Sequence, residues 1–291
     1  MAEFVYSAFA DEAGKTLAEQ LEALGADGMT LIEPRNLDLG NISDYTPDMA
    51  REVRKQLDEA GIGVSAVGSG YGKICITDDF APHFEKFKQT VEVANVLGTD
   101  KIRMFSFYMP EGEDPAPYRD EVFERLDRFA DYARAHGVWC CHENEKGIFG
   151  DVTSRCLDIL TTFEGKIKGV FDPANFIQCG VKPLEAYEVL APYIEYMHVK
   201  DARFATGGVV PPGRGDGEVK EILRRFAEKE GTRILTLEPH LKVFDGLSAL
   251  ENVSGSVFSV TEDYVYPTNR AAFDAAAGAL FGLLGELGIA R

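Results

Sequence analysis

Eight short apolar segments alternate with eight helix-like stretches along this chain, and no hydrophilic linker separates any of them. Residues 4–9, 29–33, 64–67, 101–107, 138–143, 167–172, 194–198 and 234–238 read as strands. Residues 16–24, 48–60, 80–97, 118–135, 152–160, 184–190, 219–230 and 270–287 carry the helical patterns between and after them. Within 80–97, for instance, Phe84, Phe87, Val91, Ala94 and Leu97 fall on one buried stripe. Alternation at this spacing favours a parallel sheet with crossover helices. Such a sheet can be doubly wound and open, or closed into an eight-stranded α/β barrel.

The strand ends decide between the two. The last four strand segments finish in Glu143, Asp172, His198 and Glu238, at intervals of 29, 26 and 40 residues. On an open sheet these groups would be spread out in a row, whereas in a closed barrel they converge on one mouth. The chain is therefore expected to form a single (β/α)8 TIM barrel over residues 1–291, with long βα loops at 202–217 and 239–268 lying over the mouth. A carboxylate buried at the end of an apolar strand costs several kcal/mol unless it has a partner. Singly, each has a plain explanation: Asp-Pro caps helices, and a histidine is often a hydrogen-bonded core residue. Together, three carboxylates and one imidazole suit a hard or borderline divalent cation. Such a cation would polarise a carbonyl and lower the cost of an enediolate beside it, with Glu143 and Glu238 serving as base and acid on the neighbouring C–H. Epimerisation, aldose–ketose isomerisation and dehydration all share that intermediate.

Charge and cysteine usage narrow the setting. A net charge of −18 argues against nucleic acid and against anionic membranes as partners. The first residues lack the basic-then-apolar order of a secretory signal, and no apolar run is long enough to span a bilayer. Five cysteines without a Cys-x-x-Cys pair read as reduced thiols in a cytoplasmic protein.

Several segments resemble the sugar phosphate isomerase/epimerase superfamily, the xylose-isomerase-like barrels: Ser69-Gly70-Tyr71-Gly72-Lys73, residues 102–108, His142-Glu143-Asn144-Glu145, Phe171-Asp172-Pro173-Ala174-Asn175 and His198-Val199-Lys200-Asp201. The resemblance implies one divalent metal ion, manganese, magnesium, cobalt or zinc, held by Glu143, Asp172, His198 and Glu238. It also implies that Glu143 and Glu238 double as acid and base on a sugar, keto-sugar or sugar phosphate, and it allows a homodimer or homotetramer. One position departs from the ketose 3-epimerases of the superfamily, which carry a histidine three residues after the metal aspartate. Here that position is Asn175, whose amide can bond a sugar hydroxyl but cannot shuttle protons. The His-x-Lys-Asp ending of the seventh strand is more like inosose dehydratases. Around the metal, Asn175, Lys200, Arg203, Lys73, Arg214 and Glu33 are the candidates for contacting substrate, Glu33 having a pairing with Arg103 as its alternative. Besides the isomerase or epimerase reading stand an inosose-type dehydratase and a catalytically silent sugar-binding barrel. A nuclease of the same barrel class fits poorly with five histidines and the acidic balance.

Overall fold

The computed structural model describes residues 2–244 and 264–289. Most of the second predicted loop, 239–268, thus lies outside the described residues. Eight parallel staves close a barrel: β1 (Glu3–Ala8), β2 (Leu31–Ile32), β3 (Gly63–Val64, continued as Val67–Gly68), β4 (Lys101–Met104), β5 (Trp139–Glu143), β6 (Ile167–Phe171), β7 (Ile194–Val199) and β8 (Thr232–Leu237). Strands β3 to β8 pair in sequence order, and β8 pairs with β1 over its full length. On the other side β2 pairs with the start of β3, and the Glu33 amide donates to Ala8 O at 3.0 Å, which completes the ring. The second stave is shorter than the 29–33 of the pattern: only Leu31 and Ile32 are in ladder register, while Thr30 O still accepts the Gly63 amide.

Helices α1 (Leu17–Ala26), α2 (Pro47–Ala60), α3 (Phe80–Leu97), α4 (Arg119–Ala135) and α5 (Thr153–Thr162) return the chain between staves. Their starts follow from capping: Thr16, Thr46 and Asp79 accept the first free amides of α1, α2 and α3. After β6 the structure has two helices where the sequence pattern shows one. The Asp172 side chain accepts the Asn175 amide and caps α6 (Pro173–Gln178), which precedes α7 (Pro183–Leu190). The last two are α8 (Val219–Phe226) and α9 (Asn269–Glu286). Among the described residues no helix is long and apolar enough to cross a membrane.

Alternation along the staves separates two apolar layers. Outside, between barrel and helices, Tyr71, Phe80, Phe84, Phe87 and Phe107 gather around Phe129, the closest ring centroids being Phe87 and Phe129 at 4.5 Å. Inside, Ala66, Cys141, Val170 and Tyr196 form a smaller plug. Cys140 packs outward and Cys141 inward, and the same step of two sends Glu143 into the mouth above Cys141.

Candidate metal centre

Glu143 closes β5, His198 is the penultimate residue of β7, and Asp172 and Glu238 each follow their stave by one residue. All four are buried, and one ligand atom from each lies within 4.8 Å of every other. His198 Nδ1 stands 3.0 Å from Glu143 Oε1 and 3.6 Å from Glu238 Oε2. The Lys200 ammonium sits 2.9 Å from Asp172 Oδ2 and 3.0 Å from Glu238 Oε2. Asp172 divides its oxygens: Oδ1 caps α6, while Oδ2 faces Lys200 as an ion pair without the angle of a hydrogen bond.

An arginine backs each glutamate. Arg103 Nε is 3.4 Å from Glu143 Oε2, and Arg35 Nη1 is 3.0 Å from Glu238 Oε1. Both guanidinium groups lie against the buried Phe9 ring, at 4.4 Å for Arg35 and 5.2 Å for Arg103, and His198 meets the same ring edge-on at 5.1 Å. A Cβ on Gly68 would stand 2.5 Å from that ring, so only glycine leaves Phe9 in place. Arg35 also binds Asp11 with two hydrogen bonds of 3.0 Å and reaches Glu12 at 3.1 Å. His240 Nε2 lies 3.2 Å from Glu12 and 3.3 Å from Glu238.

These contacts set the charges. Burial alone would raise the Glu143 carboxyl, but His198 and Arg103 outweigh it and hold the group at about 2. Glu238 is likewise held well below the usual range, Lys200 and His240 overcoming burial. Burial pushes Asp172 up to about 7 against the pull of Lys200. It pushes Glu12 up to about 8 against that of Arg35. His198 is raised to about 10, because Glu143 and Glu33 outweigh the burial that would lower it.

The donor set fits a divalent cation in geometry and in donor chemistry. Six carboxyl groups (Asp11, Glu12, Glu33, Glu143, Asp172 and Glu238) share this volume with Arg35, Arg103, Lys200 and the His198 imidazole, Glu12 being pushed up far enough to keep its proton at neutral pH and His198 far enough to carry a positive charge. A hard cation among these oxygen donors would take the place of a proton on His198 and draw Asp172 into its ionised form.

The other candidates divide. Asn175 Nδ2 donates to Glu143 Oε1 at 3.2 Å and to Asn144 O at 3.0 Å, which places it at the centre. Lys200 is there as well, held by two acids. Lys73 is ion-paired with Glu145 at 2.8 Å and lies over the Phe105 ring, at the rim. Arg203 sits on the 202–217 loop with its guanidinium 5.9 Å from the Tyr264 ring. Arg214 is exposed on the outer side of that loop, beside α9, where after Lys220 it helps hold the Glu286 carboxyl down. Glu33 bonds Tyr196, Thr236 and His198 inside the barrel, and Arg103 pairs with Glu143 instead. Sequence reasoning missed Asp11, Glu12, Arg35 and His240. All four lie three or four residues past a strand end, where alternation no longer applies, although His240 keeps the two-residue step from Glu238.

The loop after Lys200 is organised by Asp201. Its Oδ1 accepts the Ala202 and Gly217 amides and its Oδ2 the Gly213 and Gly215 amides, all at 2.9 Å. A Cβ on Gly215 would lie 2.4 Å from Oδ1, and one on Gly217 2.6 Å, so glycine is needed at both.

Residues 18–252 match the sequence profile of a family described as xylose isomerase-like TIM barrel. A curated 3-dehydroshikimate dehydratase from Bacillus anthracis is 24% identical over 134 residues, covering 46% of this chain and 48% of that protein. The aligned part therefore spans about half the length of that relative. An L-ribulose 3-epimerase structure superposes with a TM-score of 0.70 at 18% identity, over 99% of this chain and 96% of its own. The IOLI protein, solved with a bound zinc atom, does so with a TM-score of 0.71 at 14% identity, over 98% and 99%. At these identities the two structures show the fold alone.

Proposed function

The chain belongs to the xylose isomerase-like TIM-barrel family, and from that membership we propose that it is a divalent-cation-dependent enzyme removing a proton beside a carbonyl of a small carbohydrate substrate. The observation that carries this reading is the meeting of Glu143, Asp172, His198 and Glu238, from four successive staves, within 4.8 Å. These four would hold the cation; manganese, magnesium, cobalt and zinc all suit such donors. When bound, the cation supplies Lewis-acid polarisation of the substrate carbonyl.

The rest is work for the side chains. His198 and Arg103 keep Glu143, and Lys200 and His240 keep Glu238, as carboxylates ready to accept a proton from the carbon next to that carbonyl. Asn175 orients Glu143, and Lys200 stands where negative charge develops on the substrate. Return of the proton to the opposite face gives epimerisation, and return to the neighbouring carbon gives isomerisation.

Dehydration is the second reading, and the low pKa of both glutamates favours it. With both glutamates ionised at the start, one of them takes the C–H proton and hands it to a departing β-hydroxyl as water leaves. That sequence balances without a second acid, whereas inversion needs a protonated partner on the other face. The partial likeness to a 3-dehydroshikimate dehydratase points the same way.

Purified protein supplemented with Mn2+ or Co2+, incubated in heavy water with ketoses, inososes, their phosphates and 3-dehydroshikimate, tests both readings. Cation-dependent deuterium uptake or loss of water, absent in Glu238→Gln, is the expected result. Retained exchange in that variant would remove Glu238 from the acid/base role. No exchange with any substrate, and no ion bound per chain, would leave a silent barrel.

A further inference from the structure

We infer that Glu33 is a positioning residue that holds the His198 imidazole in one orientation and one tautomer, and so sets how tightly the centre grips its cation; this rests on the cation reading above. Glu33 is fully buried just past β2, one layer below the four converging groups. Tyr196 Oη donates to its Oε1 at 3.0 Å and Thr236 Oγ1 to its Oε2 at 2.9 Å. Tyr196 and Thr236 stand two residues before His198 and Glu238 on β7 and β8, so they share their inward face. With one hydroxyl latching each oxygen, the carboxylate presents both to His198 Nε2, at 3.4 Å.

The other ring nitrogen, Nδ1, points the opposite way, toward Glu143 and Glu238 at 3.0 and 3.6 Å. When a cation displaces the proton on Nδ1, an imidazole whose Nε2 faces a carboxylate keeps its remaining proton there. Phe9, packed edge-on against the ring at 5.1 Å, blocks the flip that would exchange the two nitrogens. This geometry takes Glu33 away from substrate: it lies beneath His198, and both its oxygens are already engaged.

The test is a Zn2+ titration of metal-stripped protein by calorimetry, with Co2+ absorption as a second probe, comparing wild type with Glu33→Gln. The variant keeps the shape and removes the charge; it is expected to fold, by circular dichroism, and to bind Zn2+ about 10- to 100-fold more weakly. Unchanged affinity in a folded Glu33→Gln protein would overturn the inference. Should that variant not fold, Tyr196→Phe and Thr236→Val each release one Glu33 oxygen and are expected to weaken Zn2+ by a smaller factor; wild-type affinity in both would overturn it equally. Nitrogen-15 NMR of histidine-labelled protein supplies a readout that mere loss of packing would not move. In the Zn2+-loaded protein a His198 resonance protonated at Nε2, identified by its disappearance in His198→Asn, supports the assignment, and one bare at Nε2 contradicts it. Failure of wild type to bind Zn2+, Mn2+ or Co2+ would instead sink the cation reading, and with it the inference that rests on it.

Discussion

Arg35 shows how much of the centre hangs on single residues. Its guanidinium is the common partner of Asp11, Glu12 and Glu238, and it lies between the Phe9 and Phe244 rings at 4.4 and 4.9 Å. Arg35→Met keeps the apolar stem but leaves three buried acids sharing less positive charge. Its expected cost is about 3–5 kcal/mol, read as a lowered urea midpoint at neutral pH. His83 makes a different prediction. Its Nε2 accepts the Gly72 amide at 2.9 Å, and burial, aided by Lys86 and Arg125, lowers its pKa to about 4. The ring is neutral in the folded protein where the unfolded chain would already be protonated. Its contribution is therefore complete above pH 6.5 and is lost as pH falls from there through about 4. His83→Gln, which can still accept that amide, is expected to flatten the fall in urea midpoint over this interval. His142, lowered to about 4 by burial, leaves part of the slope in place. The four convergent groups were legible because strand alternation places them. Asp11, Glu12 and Arg35 were not, because a chain that has left its stave turns by local bonds that have no period.

Among the elements, the 202–217 connection repays most study. Its length was readable, and its glycines and prolines marked it as a loop. That it contains a hairpin, Asp201–Ala202 against Val209–Val210, and that one carboxylate dictates its alternating glycines, was not. Such bonds join residues 12 to 16 positions apart and leave no trace in hydrophobic period. Gly215→Ala would bring a methyl within 2.3 Å of Ala202 O. It is expected to open the loop to limited proteolysis and to raise KM more than it lowers kcat, with the melting temperature little changed. In the α3–α4 layer the opposite holds. Phe129 touches five aromatic rings and one histidine, so Phe129→Ala is expected to cost about 3–5 kcal/mol while leaving cation affinity unaltered in the folded fraction.

For the whole molecule, fold and centre are thermodynamically coupled. A cation that binds the folded barrel and not the unfolded chain stabilises it by about 2.7 kcal/mol at a hundredfold excess over Kd. Mn2+ or Zn2+ is thus expected to raise the melting temperature and a chelator to reverse the rise; equal melting with and without the ion would speak against the centre. Closure of the barrel was readable from alternation and converging strand ends, whereas the brevity of β2 and the division of β3 leave no mark in the hydrophobic pattern. The carboxylate of Asp201 has one more implication. Because it ties both ends of the loop to themselves, residues 204–208 reach the body of the fold through Gln178, which donates to Gly207 O at 3.2 Å, so a replacement that keeps that carbonyl is expected to offer protein engineers a cassette for grafting new selectivity onto an unaltered reaction core.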